Sequence, residues 1–312
     1  MTFDAINSLG KERRPFLFIS DFRAKNIKVI LLDELKKSDV EFSIDSSYSS
    51  QKQDEYFIKE PLSFESYTQK FHKVIQEIEA GNTYLLNLTQ PTKIQTSLSL
   101  KEIYSLSNAH YKLRYKDEFV CFSPEKFIQI SEDKIHTYPM KGTIDASLEN
   151  AKELILNNEK EMAEHIMVVD LLRNDLSIVA QNVRVEEFRY ITHLGAGAKD
   201  LLQVSSHISG DIGSSWHENI GSILKSLLPA GSISGAPKKS TIEIIESIED
   251  YERGYFSGVF GLYDGESFDS GVMIRFVEKT EDGYIYKSGG GITLDSDAMA
   301  EYNELLDKIY LP

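Results

Sequence analysis

The sequence contains one cysteine, and this scarcity excludes several kinds of chemistry. Cys121 stands alone among 312 residues, so no intramolecular disulfide can form and a cysteine-rich metal site is excluded. No apolar run approaches the roughly 20 residues of a membrane-spanning helix. The stretch "PFLFIS" near the start also lacks the pattern of a signal peptide. The sequence therefore predicts a protein of the reducing cytoplasm with no membrane segment.

Positive charge is also scarce. Lysine and arginine together number 34 against 49 aspartates and glutamates, which gives a net charge of -15. A phosphate backbone demands a basic surface, so nucleic acid is excluded as a partner. A small anionic substrate remains compatible with this charge, provided that local cations offset the general negative field.

Hydrophobic spacing predicts strands and helices that interleave without regular βαβ alternation. Early strands are expected in "PFLFISDF" and "IKVILLD", followed by a helix from Phe64 to Ile78 that ends at Gly81. A long buried helix is predicted in "EKEMAEHIMVVDLLRND" and a last helix in "SDAMAEYNELLDKIYL". Between them, "YFSGVFGLY", "SFDSGVMIRFVE" and "GYIYKSG" predict an antiparallel meander. The fold class is therefore α+β, with large antiparallel sheets.

The stretch "IHTYPMKGTIDAS", residues 135–147, holds a lysine in unusual surroundings, between a proline and a glycine. Lys141 and Glu125 are symmetric about Asp133, where a hairpin turn is predicted. A three-residue turn would place the two side chains directly opposite each other, with Cβ atoms roughly 5 Å apart. A two-residue turn would instead put them on opposite faces. An ordinary surface ion pair is the alternative to a functional role.

Two predicted helices carry glutamates at helical spacing. Glu161 and Glu164 share one helix face, and Glu301, Glu304 and Lys308 share another at i, i+3 and i+7. Paired carboxylates on two helices suit a hard divalent cation such as Mg²⁺. The alternative is two solvated acidic faces. A di-iron site is excluded, because no histidine follows these glutamates at the required spacing.

Two glycine-containing segments and an arginine are further candidates for anion binding. "LPAGSISGAPKKS" does not fit a phosphate loop, but Ser240 and Glu243 predict a capped helix start whose preceding amides could receive an anion. The run Gly289–Gly291 would let a ligand approach the backbone closely. Arg275 is predicted mid-strand, where an internal salt bridge and a carboxylate clamp are both compatible with its position.

Several segments, taken in order, resemble the chorismate-utilising enzymes, which include anthranilate synthase component I, aminodeoxychorismate synthase component I, isochorismate synthase and salicylate synthase. The resemblance covers residues 64–310, in "GNTYLLNLTQ", "FSPEKF", "YPMKGT", "AEHIMVVDLLRNDL", "LPAGSISGAPKKSTIEII", "GVFGLY", "SGVMIRF" and "GGGITLDSDAMAEYNELLDK". It implies two large, mainly antiparallel β-sheets packed together and flanked by helices. Residues 1–60 would be a shortened N-terminal segment that contributes strands, and residues 61–312 the catalytic region of a single structural domain.

Two positions separate the chemistries within this family. Family members that add water carry a lysine base at the position of Leu85, whereas anthranilate synthases carry a small residue at the position of Lys141. The lysine here resembles the pattern of aminodeoxychorismate synthases, which implies amination of chorismate through a covalent bond to Lys141. Anthranilate synthesis and a catalytically inactive chorismate-binding subunit are the alternatives.

The resemblance also implies roles for the other candidates. Glu125 would be the general acid, Thr143 would orient the substrate and His193 would lie near the reacting hydroxyl. Ammonia would come from a separate glutamine amidotransferase subunit, because Cys121 is expected to be a small buried hydrophobe. The predicted ligands of Mg²⁺ are Glu161, Glu164, Glu301 and Glu304, and the predicted carboxylate-binding residues are Arg275, Gly289, Gly290, Gly291 and Lys308.

Overall fold

The computed structural model describes residues 2–44, 56–196 and 199–312. The predicted helices of the middle and the end of the chain are confirmed, but the helix Glu159–Ser177, predicted to be buried, is buried along one side only, and its Ile166 is 49% exposed. Most helices begin at a side chain that caps the first turn, such as Ser63, Asn158 and Asp297. The helices are α1 (Phe3–Lys11), α2 (Phe64–Glu79), α3 (Leu100–Leu106), α4 (Ala151–Leu156), α5 (Glu159–Ser177), α6 (Trp216–Leu227), α7 (Lys238–Ile248) and α8 (Ala298–Asp307).

The strands form two large antiparallel sheets with flanking helices, so the predicted fold class is confirmed. The strands are β1 (Phe16–Ser20), β2 (Ile27–Leu31), β3 (Val40–Ile44), β4 (Phe57–Glu60), β5 (Leu85–Thr96), β6 (Tyr111–Tyr115), β7 (Phe119–Ser123), β8 (Lys126–Ser131), β9 (Lys134–Thr137), β10 (Met140–Asp145), β11 (Gln181–Ala196), β12 (Lys199–Asp211), β13 (Gly235–Ala236), β14 (Val259–Tyr263), β15 (Phe268–Val272), β16 (Phe276–Thr280) and β17 (Gly283–Ile292). One sheet has the order β10-β12-β9-β8-β15-β14-β1-β2, with β11 also paired to β12. The other has the order β13-β5-β17-β16-β7-β6-β3, with β4 paired to β5.

The predicted hairpin around Asp133 is present, and its register decides between the three-residue and the two-residue turn. Ser131 pairs with Lys134, so the turn has two residues, Glu132 and Asp133, both with positive φ as a type I′ turn requires. The three-residue turn is therefore wrong. The strand before it also breaks at Pro124, where β7 and β8 enter different sheets, because proline cannot donate to a ladder.

The C-terminal meander is wrong in one respect. The segment predicted as a single strand around Arg275 is two strands, β15 and β16, which belong to different sheets. Arg275 lies in the break between them with φ of 52°, and its carbonyl accepts a hydrogen bond from the N–H of Phe122. Regular alternation therefore does not apply to this arginine.

The predicted start of α7 is also wrong. The helix begins at Lys238, after Pro237 at the N-cap, and no side chain caps it. Ser240 lies inside the helix and donates its hydroxyl to the carbonyl of Asn82. Proline has φ fixed at a value that a helix start accepts, so the chain turns into the helix earlier than the Ser240–Glu243 pattern indicated.

The chain divides into two compact units. The first contains α1, α4–α6 and β8–β12 and comprises Met1–Pro15, Lys126–Ser232 and Leu262–Ser270. The second contains β1–β7, β13, β16, β17, α2, α3, α7 and α8 and comprises Phe16–Glu125, Ile233–Gly261 and Gly271–Pro312. Among the described helices, none is long and apolar enough to span a membrane.

The core of the second unit is an aromatic cluster that draws on both sheets. Leu17 and Phe260 of one sheet pack with Phe119 and Phe276 of the other, whose rings stack 4.9 Å apart. Cys121 is fully buried in the same cluster as a free thiol, and burial raises its pKa. The prediction that this cysteine is a small buried hydrophobe is confirmed.

A buried ion pair joins several segments of the second unit. The side chains of Glu249 and Arg253 are each 2% exposed and lie 2.7 Å apart. The Glu249 carboxylate accepts from both the N–H and the hydroxyl of Thr89 at 2.8 Å. The guanidinium donates to the carbonyls of Asn87 and Ile233. This network therefore anchors β5 and the chain before α7.

We expect Arg253→Met to lower the free energy of unfolding by about 3–5 kcal/mol, because it leaves the Glu249 charge buried without its cation. Urea unfolding followed by far-ultraviolet circular dichroism measures this change. The matched control is Arg184→Met, since Arg184 and Glu186 form an ion pair whose side chains are 52% and 32% exposed. That control should cost under about 1 kcal/mol. Equal losses in the two variants would contradict the role given to the buried pair.

Candidate functional site

The lysine singled out by the sequence lies in a β-bulge of the first unit. Met140 of β10 pairs with Ser205 of β12, but the next pair is Thr143 with Gln203. Lys141 and Gly142 therefore lie together opposite the single residue Val204, and Gly142 has φ of 82°. A bulge with a glycine in the left-handed region turns the strand and redirects the side chain beside it. Local chain geometry thus sets the direction of Lys141.

Two glutamates of α5 lie over this bulge. The Lys141 Nζ is 3.9 Å from the Oε2 of Glu164, and the two side chains are 25% and 13% exposed. A Cβ added to Gly142 would lie 3.1 Å from the Oε2 of Glu161, so this carboxylate would have to move by a few tenths of an ångström to admit it. The first unit therefore brings together Lys141, Glu161 and Glu164, all three of which the sequence had singled out.

The bulge reverses the alternation of side chains beyond it. Directly paired residues share a face, so Thr143 lies on the face of Gln203, which is opposite to the face of Val204. The exposed His193 of β11 pairs with Leu202 and lies on the face of Val204. The sheet face of Val204, the residue opposite the bulge, is therefore the face that carries the bulge. His193 lies on this face, and Thr143 lies on the other.

A residue that the sequence analysis passed over lies beside this site. His165 of α5 is fully buried, and its Nε2 is 2.7 Å from the hydroxyl of Ser206. Burial, followed by the nearby charge of Arg189, lowers the pKa of His165 to about 4. A histidine inside the apolar run "HIMVV" was the available signal.

In the second unit, the predicted face of α8 is confirmed. Glu301, Glu304 and Lys308 lie toward Gly290 of β17, where an added Cβ would be within 3.8 Å of all three side chains. Glu301 is 5% exposed and accepts a hydrogen bond from Ser296 at 2.8 Å. The Lys308 Nζ lies 2.5 Å from Glu304 and 2.9 Å from the carbonyl of Gly289.

The electrostatic effect of these carboxylates is visible on a neighbouring tyrosine. Tyr67 of α2 is buried and packs against the ring of Tyr302 at 5.4 Å. Burial, with the added negative charges of Glu301 and Glu304, raises the pKa of Tyr67. The region around Gly290 therefore holds two carboxylates and one ammonium group.

The other candidates of the second unit lie on main-chain features. Arg275 donates its Nη1–H to the carbonyl of Lys308 at 2.9 Å, and its guanidinium lies 5.0 Å from the ring centre of Tyr310. The Gly289 backbone approaches β5 so closely that a Cβ would lie 2.4 Å from the carbonyl of Leu88. Glu125 is half-buried, and its carbonyl accepts from the N–H of Val272. Arg275 is thus joined to the end of α8.

The two glutamate pairs carry the oxygen donors that a hard divalent metal prefers. Within the described ranges, no three Asp, Glu, His or Cys side chains lie close enough to hold an ion by themselves. Each unit instead offers one pair of carboxylates on one helix face. Magnesium typically takes one or two protein carboxylates, with waters and substrate oxygens as its remaining ligands. The donor chemistry of either pair therefore fits Mg²⁺.

Comparison with known proteins gives the class to which this fold and these residues belong. Residues 14–311 match the model of the chorismate binding enzyme family, and the chain belongs to that family. Leu85, where a lysine base was expected in a family member that adds water, is buried at the start of β5.

Three individual proteins that resemble the chain extend this comparison. The chain is 46% identical over 310 residues to an uncharacterized PabA-like protein of Haemophilus influenzae, covering 98% of this chain and 94% of that protein. It is 31% identical over 264 residues to component 1 of aminodeoxychorismate synthase from Klebsiella aerogenes, covering 80% of this chain and 57% of that protein. The solved structure of anthranilate synthase component I from Streptococcus pneumoniae is similar in fold, with a TM-score of 0.69 at 24% identity, covering 84% of this chain and 60% of that one.

We expect Gly142→Ala to destabilise the first unit more than Gly213→Ala does. Both glycines have positive φ, but a Cβ at Gly213 meets nothing within 4 Å. Each substitution should cost about 1–2 kcal/mol for the backbone conformation. Contact with Glu161 should add on the order of 1 kcal/mol at Gly142.

Urea unfolding monitored by the fluorescence of Trp216, which is buried in the first unit, measures the difference. Glu161→Ala should remove the excess cost in the Gly142→Ala background. Strict additivity of Gly142→Ala and Glu161→Ala would show that the carboxylate does not lie over the bulge.

Proposed function

We propose that this chorismate-binding chain aminates chorismate, replacing the 4-hydroxyl by ammonia to form 4-amino-4-deoxychorismate for para-aminobenzoate and folate synthesis. The observation that carries the proposal is the position of Lys141, which a β-bulge sets beside the Glu164 carboxylate. The identity of 31% to component 1 of an aminodeoxychorismate synthase is compatible with it, but an anthranilate synthase component 1 is matched at the same 31%, so the identity does not distinguish the two activities. A lysine at this position is what the proposed chemistry needs.

Two successive allylic displacements replace the hydroxyl without inverting the carbon that carries it. In the first, the Lys141 amine forms a bond to ring C2, both conjugated double bonds of the ring shift by one position, and the C4–O bond breaks. In the second, ammonia forms a bond to C4, both double bonds shift back, and the C2–N bond to Lys141 breaks. The lysine must attack as a free amine, so its proton has to pass to a base before the first step.

The leaving hydroxyl needs a proton, because hydroxide is a poor leaving group. We assign this proton to Glu125, so that water leaves C4 and the carboxylate can take a proton in return from the attacking ammonia. His193, on the sheet face that carries the bulge, is assigned to the region of the reacting hydroxyl. Thr143 as a substrate-orienting residue stays a prediction, and its place on the opposite face gives it no support.

The glutamate pairs Glu161 with Glu164 and Glu301 with Glu304 would hold Mg²⁺. When bound, the ion would neutralise these carboxylates and hold a substrate carboxylate that a protein of net charge -15 would otherwise repel. Arg275, Lys308 and the backbone of Gly289–Gly291 are assigned to the substrate carboxylates.

Product identity tests this proposal. We expect the purified chain, given chorismate, an ammonium salt and magnesium, to form a product whose mass corresponds to exchange of hydroxyl for amine with the enolpyruvyl side chain retained. Mass spectrometry of the reaction mixture measures it. Anthranilate together with free pyruvate would identify the chain as an anthranilate synthase component. Saturable chorismate binding without any product would identify an inactive binding subunit.

We expect a chelator to abolish turnover and magnesium to restore it, because the paired carboxylates repel each other and the substrate. Glu304→Ala should raise the magnesium concentration needed for half-maximal rate by about 10-fold or more. Asp307→Ala is the matched control on the same helix and should leave this concentration unchanged. Full turnover in the presence of chelator would refute the magnesium assignment.

We expect the chain alone to use ammonium salts and not glutamine. Glutamine hydrolysis requires an accessible nucleophile, and the Cys121 thiol is buried in an apolar cluster. Turnover with ammonium should rise with pH as the fraction of free ammonia rises, and glutamine use should appear when a glutaminase subunit is added. The measurement is product formation with glutamine as the sole nitrogen source. Glutamine-dependent activity of the chain alone that Cys121→Ser removes would overturn this division of roles.

A further inference from the structure

Two histidines of the first unit meet on the sheet face opposite to the lysine bulge. His136 of β9 and His207 of β12 lie on neighbouring strands, and the Nδ1 of the first is 3.0 Å from the Nε2 of the second. His207 lies on the same face of β12 as Gln203, because the two are four residues apart on one strand. The proposed amination uses neither ring, so the pair calls for a separate account.

The separation of the two nitrogens is close to that of two ligands of one metal ion. A tetrahedral zinc ion binds imidazole nitrogens at about 2.0–2.1 Å, which places two such nitrogens about 3.3–3.4 Å apart. The distance between His136 and His207 is a few tenths of an ångström shorter. In the structure one hydrogen lies between the two nitrogens. An ion takes its place when the donating ring carries its hydrogen on its other nitrogen, and no proton is lost.

Both rings are in the protonation state that metal binding needs. Burial lowers the pKa of His136 and of His207, and the nearby His207 lowers that of His136 further. Lysines close to His136 act in the same direction. Both imidazoles are therefore neutral at pH 7, and a neutral imidazole has the lone pair with which histidine binds a metal.

The orientation of one of the rings is fixed by its neighbours. His207 stacks on Tyr138, with ring centres 4.7 Å apart and planes inclined by 8°. On Tyr138 in turn lies the Lys126 ammonium, 5.2 Å from the ring centre, and Asp269 holds this ammonium at 3.2 Å. A ligand whose direction is set in advance loses little freedom when it binds an ion.

The next strand supplies carboxylates on the same face. Glu187 of β11 pairs directly with His207, which places the two Cβ atoms roughly 5 Å apart. The preceding Glu186 accepts a hydrogen bond from Ser209 and forms an ion pair with Arg184, so that its direction is set by other partners. The Glu187 side chain is exposed and can turn toward the histidines. Three neighbouring strands thus bring two imidazoles and one carboxylate to one place.

We propose that His136, His207 and Glu187 bind a divalent cation of the zinc class across β9, β12 and β11. Two imidazoles and a carboxylate are a donor set that zinc takes in proteins, with water as its fourth ligand. Imidazole selects zinc and its neighbours over magnesium, so this site and the all-carboxylate pairs take different ions. The ion binds only the folded sheet and therefore stabilises the first unit.

Isothermal titration calorimetry of the full chain with Zn²⁺ tests this site, with excess Mg²⁺ present to occupy the carboxylate pairs. We expect saturable binding by the wild type. His136→Gln and His207→Gln should each raise the Kd by about 10-fold or more, and Glu187→Gln should raise it by a smaller factor. His72→Gln is the matched control, since His72 is an exposed histidine of α2 in the second unit, and should leave the Kd unchanged.

Thermal unfolding gives the second measurement. Zn²⁺ at about 10 times its Kd should raise the Tm of the wild type by about 3–5 °C and leave that of His207→Gln unchanged. The absence of saturable binding by the wild type, or an equal Kd in the wild type and both histidine variants, would overturn the proposal.

A variant at an exposed position keeps the test decisive if the histidine variants do not fold. Glu187→Gln changes one exposed oxygen to nitrogen and removes the charge that would bind the ion. An unchanged Kd in this variant would overturn the ligand assignment. No turnover enters either measurement, so the result is independent of whether the chain aminates chorismate.

Discussion

The lysine site depends on one irregularity in one β-ladder. Two residues of β10 face a single residue of β12, and a glycine with positive φ makes this possible. The consequences are local and mutually dependent. Lys141 is directed to Glu164, the bare Gly142 leaves room for Glu161, and the alternation beyond the bulge is reversed so that Thr143 changes face. A regular ladder without the bulge would not give these three results together.

Both units place a lysine against a pair of glutamates three residues apart. In the first unit Lys141 lies by Glu164 of α5, and in the second Lys308 lies by Glu304 of α8. Paired carboxylates of this kind suit a divalent cation. An acidic protein that handles an anionic substrate needs cations of this kind, either its own or bound.

The sequence was sufficient for the parts of the fold that depend on periodicity. The helices α2, α5 and α8 follow from apolar spacing, and the shared face of the α8 glutamates follows from helical geometry. It was insufficient where the chain changes sheets. At Pro124 and at Arg275 neighbouring residues look like one continuous strand, but their hydrogen bonds go to different sheets, which no local pattern records. The bulge could not be predicted for the same reason, since the register depends on how two strands pair. His165 was missed because an apolar helix face gave no sign that its ring meets a serine on a distant strand.

The central claim is that Lys141 forms a covalent bond to the substrate, and intact-mass measurement of the chain tests it most directly. The protein is incubated with chorismate and magnesium in the absence of ammonia, quenched, and then digested to locate any added mass. The account predicts an adduct on Lys141 in the wild type, its disappearance after ammonia is added, and none in Lys141→Ala. An unmodified wild-type chain that aminates chorismate normally once ammonia is supplied, or full amination by Lys141→Ala, would contradict it.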